Sequence, residues 1–245
     1  MIEQKNEQRK IYWNGVYYNA LSKDVEVLKQ QAPHLYTKLF PISFDSRKIN
    51  NDKYHIYQVY YDESQLSQLR YGFKPYFNKE QLHNYENDIM LDIWRKRDWV
   101  NAKYVGVLSW RLYEKTFIEK ISFQKDVVLF KCLGYEKFDH PFSRKCFGSV
   151  NEMVRLADAY KLFPFKLDSY KVKYNVWCNY WVAKPHIFDD YCTNYLSKAI
   201  EFFKGTELYF AKEKHRGKMV YSMTFFLEGL FSVYLTEKKY AVTEN

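Results

Sequence analysis

The chain has 245 residues, and its 47% apolar and 20% aromatic content can bury a sizeable core within one α/β domain. With 8 glycines and 6 prolines, long flexible linkers are not expected. No C-x-x-C pair or zinc-like Cys/His spacing occurs, which argues against a disulfide framework or zinc motif around Cys132, Cys146, Cys178 and Cys192. The charged amino terminus, MIEQKNEQRK, lacks the apolar stretch of a signal peptide. We therefore expect a soluble, intracellular protein with buried thiols.

The formal net charge of +9 is compatible with an anionic partner: a nucleotide-sugar, a nucleic acid or a negatively charged membrane surface. An ordinary lysine-rich surface explains the charge equally well. The basic residues are spread along the chain without a run of five or six, which disfavours nucleic acid.

The first half of the chain predicts one strand and one helix. Residues 1–50 form a polar and aromatic extension that we expect to pack on a domain of residues 51–245. The β-forming run Tyr54–Tyr61 predicts a strand that ends at a polar turn, Asp62–Gln65. From about Gln81 to Trp99 the pattern is helical, with Ile89 and Ile93 on one face.

Three nearly continuous apolar runs are typical of central strands that are buried on both faces. They are Tyr104–Trp110, Asp126–Lys131 and Val176–Ala183. Strands that alternate with helices predict a mainly parallel sheet with helices on both faces.

Two further helices are indicated by their ends. Residues 149–161 are amphipathic, and Ser149 followed by Glu152 predicts a capping box at the start of this helix. Pro185 suits the first turn of a second helix, and Gly205 suits its end. Asp189 and Asp190 near its start predict capping by carboxylates, with metal binding as the alternative.

The last helix contains an isolated charge. Between Lys218 and Glu237 the only charged residue is Glu228, in the segment MVYSMTFFLEGLFSVYLT. The segment is long enough to raise the question of a membrane span, but its polar residues and the lack of a second span favour a buried core helix. A lone carboxylate is costly there. Glu228 therefore either meets a buried Arg or Lys or faces a ligand cleft.

Six segments between about residues 54 and 236 carry a family resemblance. They are IYQVYYDE, YENDIMLDIW, YVGVLSWRLYEKT, DVVLFK, CNYWVAKPHIFDDYC and FFLEGLFSVYL. In this order they resemble a family of bacterial polysaccharide-cluster glycosyltransferases, a domain of unknown function whose fold is similar to that of the GT-A nucleotide-sugar transferases. The resemblance carries over the family's motif residues to Glu86, Arg111, Asp126, Asn179 and Glu228.

The resemblance implies a GT-A-like fold and the transfer of a sugar from a nucleotide-sugar donor to a surface-polysaccharide or lipopolysaccharide intermediate. It implies a cytoplasmic enzyme at the inner face of the membrane, in peripheral contact with anionic lipid and with a glycan or lipid-linked glycan as acceptor. The cofactor stays open: a divalent metal is compatible with such chemistry, but the chain contains no D-x-D triplet.

Sugar transfer requires groups that neutralise a departing diphosphate, and an inverting enzyme also needs a carboxylate base for the acceptor. Open α/β sheets bind ligands beyond the carboxyl ends of their strands, where the pattern places Asp62, Glu63, Arg111 and Lys184. We expect the donor near Tyr57–Glu63 and Arg111. The guanidinium of Arg111 either contacts phosphate or pairs with a buried carboxylate such as Glu86 or Glu228.

The remaining candidates keep two interpretations. Asn179, expected inside an apolar strand, needs hydrogen bonds that either sugar hydroxyls or a neighbouring loop could supply. Asp126 either contributes to the substrate site or bounds a turn. For Glu228 we expect a position within one side-chain length of Arg111 or Glu86.

Two other functions compete with sugar transfer. A basic, aromatic-rich chain could bind single-stranded nucleic acid, and exposed aromatics along a positive groove would favour that function. A catalytically inactive scaffold on the same fold is the third hypothesis, since a fold does not imply an activity.

Overall fold

The computed structural model describes residues 2–5, 8–13, 16–19, 53–69, 73–79, 84–116, 123–130, 141–142, 148–176, 178–215 and 217–244. Three short strands near the amino terminus form a separate antiparallel sheet. They are β1 (Ile2–Lys5), β2 (Gln8–Trp13) and β3 (Val16–Asn19). The packing of residues 1–50 on the domain stays a prediction. Cys132 and Cys146 lie outside the described residues. Cys192 is a buried thiol, as predicted, whereas the Cys178 thiol is only partly buried.

The core of the α/β fold is a six-stranded sheet in the order β11-β7-β8-β6-β4-β5. Its strands are β4 (Tyr54–Tyr60), β5 (Lys74–Phe77), β6 (Tyr104–Ser109), β7 (Val127–Leu129), β8 (Trp181–Ala183) and β11 (Val242–Glu244). The pairs β4–β5, β4–β6 and β7–β11 are parallel. Only β8 runs against its two neighbours, β6 and β7. The sheet is therefore mixed and mostly parallel, close to the predicted arrangement.

Four long helical segments accompany the sheet. They are α1 (Glu86–Lys96), α3 (Gly148–Ala159), the joined helices α4 (Pro185–Tyr191) and α5 (Ser197–Lys204), and α6 (Ser222–Lys238). A short helical turn, α2 (Leu112–Lys115), follows β6. A π-helical turn, Cys192–Leu196, joins α4 to α5, so one continuous segment begins at Pro185 and ends before Gly205, as the sequence predicts. Two 3₁₀ turns (Glu63–Gln68 and Glu207–Phe210) and the hairpin of β9 (Lys212–His215) and β10 (Lys218–Tyr221) complete the described elements.

Strand β6 is buried along its whole length, which confirms the prediction from its apolar sequence. It pairs with β4 on one side and β8 on the other. Gly106 is essential to the second pairing, because a Cβ atom there would lie 2.4 Å from Cγ1 of Val182 and 2.7 Å from the carbonyl oxygen of Trp181. Only glycine allows β8 to approach so closely.

The strand predicted over Val176–Ala183 is wrong in its first part, because Val176 and residues 178–180 are not in a strand and β8 begins only at Trp181. Cys178 and Asn179 have φ values of 57° and 54°, in the left-handed region that a strand cannot contain. Asn179 therefore precedes the strand instead of lying inside it. The apolar residues are buried as expected, but hydrophobicity does not report this change of backbone direction.

Helices on both faces of the sheet were predicted, whereas the described long helices lie on one face. Side chains of α1, α3, α4, α5 and α6 join a single core cluster with Val105, Val107 and Trp181 of the sheet. The second cluster lies on the other face, and Leu112 of α2 is its only helical member among the described residues.

The predicted capping box at Ser149 is wrong. Helix α3 already includes Gly148, and the Ser149 amide donates to the carboxylate of Glu213 in β9 at 2.6 Å. Glu152 forms an ion pair with Arg155 at 3.1 Å. A carboxylate distant in sequence thus accepts the hydrogen bond of an amide in the first turn of this helix, and no local sequence pattern predicts that contact.

Asp189 and Asp190 do not cap α4, because the helix begins four residues earlier, at Pro185. Asp189 accepts hydrogen bonds from Trp94 Nε1 and Arg97 Nη1, both at 2.7 Å. Asp190 accepts one from the Tyr234 hydroxyl at 3.0 Å. The two carboxylates tie this helix to α1 and α6.

Helix α6 is the buried core helix that its sequence predicts, with twelve buried residues. Phe231 stacks on Trp181 of β8 with ring centroids 3.7 Å apart. Across the described ranges, we find no helix with the length and apolar character that crossing a membrane requires.

Tyrosine hydroxyls bind carboxylates in several places, joining elements far apart in sequence. The pairs outside the candidate site are Tyr57–Asp98 (3.1 Å), Tyr76–Asp92, Tyr170–Glu237 (2.6 Å) and Tyr234–Asp190 (3.0 Å). Part of the high tyrosine content therefore serves polar contacts at the border of the core.

The contact at Gly106 predicts a large effect of one methyl group. We expect Gly106→Ala to lower the free energy of unfolding by about 3 kcal/mol, because backbone and side-chain atoms of β8 must move. Urea unfolding followed by circular dichroism measures the change. The matched control is Gly205→Ala, where no atom lies within 4 Å of the added Cβ, and its effect should stay within about 0.5 kcal/mol. Equal effects of the two substitutions would contradict this account of the β6–β8 contact.

Candidate functional site

The candidate site lies at the edge of the sheet where β4 and β6 end. These strands are parallel, so Tyr61 and Trp110 follow them at the same edge. Because β8 is antiparallel to β6, its start lies there too, and it brings Cys178 and Asn179 to this edge. Three segments far apart in sequence thus converge.

Glu86 is the central acidic group of this edge. It is the first residue of α1, and its Oε1 accepts a hydrogen bond from the Tyr61 hydroxyl at 3.1 Å. Burial raises the pKa of the Glu86 carboxyl, whereas its own backbone amide, the Lys115 charge and the Tyr61 hydroxyl oppose the rise. Burial and the neighbouring carboxylate also raise the pKa of Tyr61. The site therefore contains a carboxyl that holds its proton more tightly than an exposed one.

A lysine and a cysteine complete the polar cluster. Lys115 is the last residue of α2, and its Nζ lies 3.4 Å from the Sγ of Cys178. The side chain of Asn179 is buried, and its Oδ1 has no hydrogen-bond partner within the described part of the chain. Such an orphaned oxygen has a cost, which a bound donor group would relieve.

The backbone beside Glu86 is unusual on two sides. Tyr85, directly before it, has φ 50° and ψ −122°, and Cys178 and Asn179 both have positive φ. Non-glycine residues rarely adopt these conformations, and they concentrate at functional sites. This clustering supports a ligand site at this edge.

Arg111 lies at the same edge, as predicted, immediately before α2. The Trp110 amide donates to the Val59 carbonyl at 2.8 Å, and Nε2 of the buried Gln58 reaches the Ser109 carbonyl at 3.4 Å. These bonds fix the segment after β6. The Arg111 guanidinium lies 5.7 Å from the centre of the Trp110 ring and is partly exposed, so it can reach a ligand.

Three other predicted binding residues lie in β4 or directly after it, and two of them, Tyr57 and Asp62, make structural contacts. Tyr57 is buried, and its hydroxyl donates to Asp98 at 3.1 Å. Asp62 caps the 3₁₀ turn by accepting from the Ser64 amide at 2.8 Å, and hydrogen bonds from the Ser64 side chain and amide lower the pKa of the Asp62 carboxyl. Glu63 is exposed in the first turn of the same element.

Asp126 and Lys184 lie at the opposite edge of the sheet. They form an ion pair of 2.8 Å between the start of β7 and the end of β8. The prediction for Lys184 rested on a parallel sheet, but β8 is reversed, so its carboxyl end lies at the amino ends of β4, β6 and β7. Asp126 also accepts from the Ala241 amide at 3.1 Å, so it holds the chain before β11.

Glu228 is partly buried in α6 and lines a small pocket with Pro141, Asn175, Val176, Phe225, Gly229 and Ser232. Neither Arg111 nor Glu86 is among these lining residues. The predicted position of Glu228 within one side-chain length of Arg111 or Glu86 therefore stays a prediction.

Sequence reasoning identified Glu86, Arg111 and Asn179 but missed Tyr61, Lys115 and Cys178. Lys115 belongs to the segment YVGVLSWRLYEKT, so its place shortly after the predicted strand Tyr104–Trp110 was visible in the sequence. Cys178 was taken as a default buried thiol, although it directly precedes Asn179. In the residues that the structure describes, no three His, Cys, Asp or Glu side chains are arranged to hold a metal ion.

Comparison with known proteins gives no match: no family model, no curated protein and no solved structure matches the chain. The chemistry of the site is therefore argued from its own residues. A protonatable carboxyl, two cationic side chains and an orphaned amide oxygen can bind an anion and move a proton.

The raised pKa of Glu86 predicts a pH-dependent stability. A carboxyl whose folded-state pKa lies above its unfolded value favours folding below the unfolded pKa, and this advantage is lost as the pH rises towards the folded pKa. We expect Glu86→Gln to remove this loss of stability at high pH, because the amide stays neutral and still accepts a hydrogen bond from the Tyr61 hydroxyl. The variant should unfold with a free energy about 1 kcal/mol higher than wild type at pH 8, and with little difference at pH 4.

Urea unfolding at the two pH values measures this effect. Glu237→Gln is the control, because Glu237 also accepts from a tyrosine hydroxyl but is exposed. Its effect should stay within about 0.5 kcal/mol at both pH values. Parallel stability curves for wild type and Glu86→Gln would show that the Glu86 carboxyl is not perturbed.

Proposed function

We propose that this chain is a bacterial glycosyltransferase with a GT-A-like fold. It transfers a sugar from a nucleotide-sugar donor to an intermediate of surface-polysaccharide or lipopolysaccharide synthesis. The observation that carries the proposal is the convergence of Glu86, Lys115 and Arg111 at the carboxyl edge of β4 and β6. Open α/β sheets bind nucleotides at this kind of edge.

Glu86 is the proposed general base. In the transfer step the acceptor oxygen bonds to the anomeric carbon, the bond from that carbon to the diphosphate oxygen breaks, and the hydroxyl proton passes to the Glu86 carboxylate. A base is most effective when its pKa approaches the working pH. The raised pKa of the partly buried Glu86 suits this role, and the Tyr61 hydroxyl at 3.1 Å orients the carboxylate.

Arg111 and Lys115 are the proposed partners of the departing diphosphate. The planar guanidinium of Arg111 matches two phosphate oxygens, and Lys115 adds a compact charge. Asn179 Oδ1 would accept a hydrogen bond from a sugar hydroxyl, which gives that buried oxygen a partner. The Glu228 carboxylate, on a different element, would orient Arg111 or contribute to the acceptor side.

The proposed enzyme works in the cytoplasm, at the inner face of the membrane where lipid-linked acceptors lie. Its cofactor is open. A divalent metal would need oxygen ligands, and the sequence contains no D-x-D triplet to provide them. Two cationic side chains at the site give an alternative means of neutralising the diphosphate.

The aromatic side chains favour this function over single-stranded nucleic-acid binding. A stacking surface needs exposed rings along a basic groove. Most described rings are in the core clusters instead. Among the described residues, the exposed large aromatics are Phe77, Tyr160 and Phe210, on three separate elements.

Titration calorimetry with UDP-, GDP-, CMP- and dTDP-linked sugars tests the proposal. We expect one donor class to bind, and Arg111→Gln to weaken its affinity about ten- to a hundredfold through loss of charged hydrogen bonds. Glu86→Gln should keep donor affinity and lower the transfer rate about 10²- to 10⁴-fold, as expected for loss of a general base.

Lys184→Gln is the matched control, because it removes one positive charge at the opposite edge of the sheet. It should leave donor affinity unchanged, and a loss equal to that of Arg111→Gln would move the site away from Glu86. Binding without turnover on any acceptor would favour the inactive scaffold. Binding of single-stranded DNA or RNA in place of every donor would favour the nucleic-acid hypothesis.

A further inference from the structure

The β9–β10 hairpin has two chemically different faces. In its antiparallel register Lys214 lies opposite Met219 and Lys212 opposite Tyr221, whereas His215 lies opposite Lys218 and Glu213 opposite Val220. Residues directly opposite share a face of the ladder. One face thus contains Lys212, Lys214, Met219 and Tyr221, with no acidic residue, and we call it the basic face.

The other face of the hairpin is attached to the body of the protein. Glu213 accepts from the Ser149 amide at the start of α3, at 2.6 Å. His215 packs edge-on against Phe225 of α6 with ring centroids 5.4 Å apart. Val220 packs against the main core. These contacts fix the orientation of the hairpin, so the basic face points away from the core.

The basic face combines charge with exposed apolar surface. Lys212 and Lys214 are exposed, and Met219, directly opposite Lys214, is 61% exposed. Phe210, two residues before the hairpin at the end of a 3₁₀ turn, is 62% exposed. Lys218 adds an exposed charge near the tip. Exposed apolar side chains beside lysines are the combination that an anionic lipid surface can bind through both its charge and its apolar interior.

We propose that the basic face of this hairpin docks on an anionic lipid surface. Lysines next to a surface of acidic phospholipids each contribute attraction, and adjacent Met and Phe side chains can enter the headgroup region. Nucleic acid is less well matched, because Tyr221, the one aromatic residue on this face, lies under the Lys212 ammonium at 4.3 Å and is only partly exposed. The formal net charge of +9 favours the same encounter.

The hairpin adjoins the candidate site. The hydroxyl of Tyr209, three residues before β9, accepts a hydrogen bond from Asn84 Nδ2 at 3.1 Å, and Asn84 precedes Glu86 by two residues. Burial and the Glu86 carboxylate raise the pKa of Tyr85, the nearby Tyr221 adds to the rise, and the charge of Lys212 opposes it. Docking through the basic face would therefore bring the edge that contains Glu86 close to the membrane. The inference itself does not depend on sugar transfer, since lipid binding requires no donor.

Co-sedimentation of the full chain with vesicles tests the proposal. The probes are vesicles of phosphatidylcholine alone and of phosphatidylcholine with about 30% phosphatidylglycerol, an acidic fraction high enough to give a negative surface potential. We expect binding to the acidic vesicles only, with release at about 0.5 M salt because of screening. Replacing both lysines, Lys212→Gln with Lys214→Gln, should weaken binding about twentyfold. Met219→Ser should weaken it severalfold.

The matched control is Lys171→Gln with Lys173→Gln, which removes the same charge from two exposed lysines. The Lys173 amide contacts Thr236 near the end of α6, whereas the hairpin leads into its start. This control should bind as wild type does. Equal losses in both double variants would reduce the effect to net charge and overturn the proposal. So would equal binding to neutral vesicles, or no vesicle binding together with binding of a single-stranded oligonucleotide.

Discussion

The rest of the structure depends on the pairing of the short antiparallel strand β8 with both β6 and β7. Without it the sheet would divide into the pair β7–β11 and the group of β4, β5 and β6. The three residues of β8 fit there because Gly106 has no side chain, so the two backbones come close. On the helical face, Trp181 of β8 stacks on Phe231 and couples the sheet to α6. The same reversal delivers Cys178 and Asn179 to the edge where β4 and β6 end.

Several features at that edge each lower the stability of the folded protein. The edge has a carboxyl whose pKa is raised by burial, an amide oxygen without a partner among the described residues, and non-helical, non-extended backbone at Tyr85 and Cys178. Proteins retain such destabilising features where they serve a ligand, and the packing of the sheet beneath this edge offsets their cost in stability. The cationic side chains of Arg111 and Lys115 make the local charge suitable for an anion, which links this set of strained groups to the proposed donor.

The sequence predicted elements whose signals are local. The run Tyr104–Ser109, the core helix around Phe231 and the helix start at Pro185 follow from hydrophobicity and backbone chemistry alone. Direction and distant partners could not be read in this way. An apolar run is the same for a parallel and an antiparallel strand, so Lys184 was assigned to the wrong edge. The start of α3 depends on Glu213, sixty-four residues further along the chain, and no local pattern contains that bond.

The tyrosine–carboxylate pairs have a consequence for how this sequence can diverge. Each pair spans elements that are far apart in the chain, such as Tyr57 with Asp98 and Tyr170 with Glu237. A change to phenylalanine preserves the ring and its packing but leaves the acid without its donor. A ring that only stacks, as Phe231 does, has no such dependence. At the paired positions a change between tyrosine and phenylalanine therefore alters a polar contact with an acid elsewhere in the chain, whereas at a stacking position it does not.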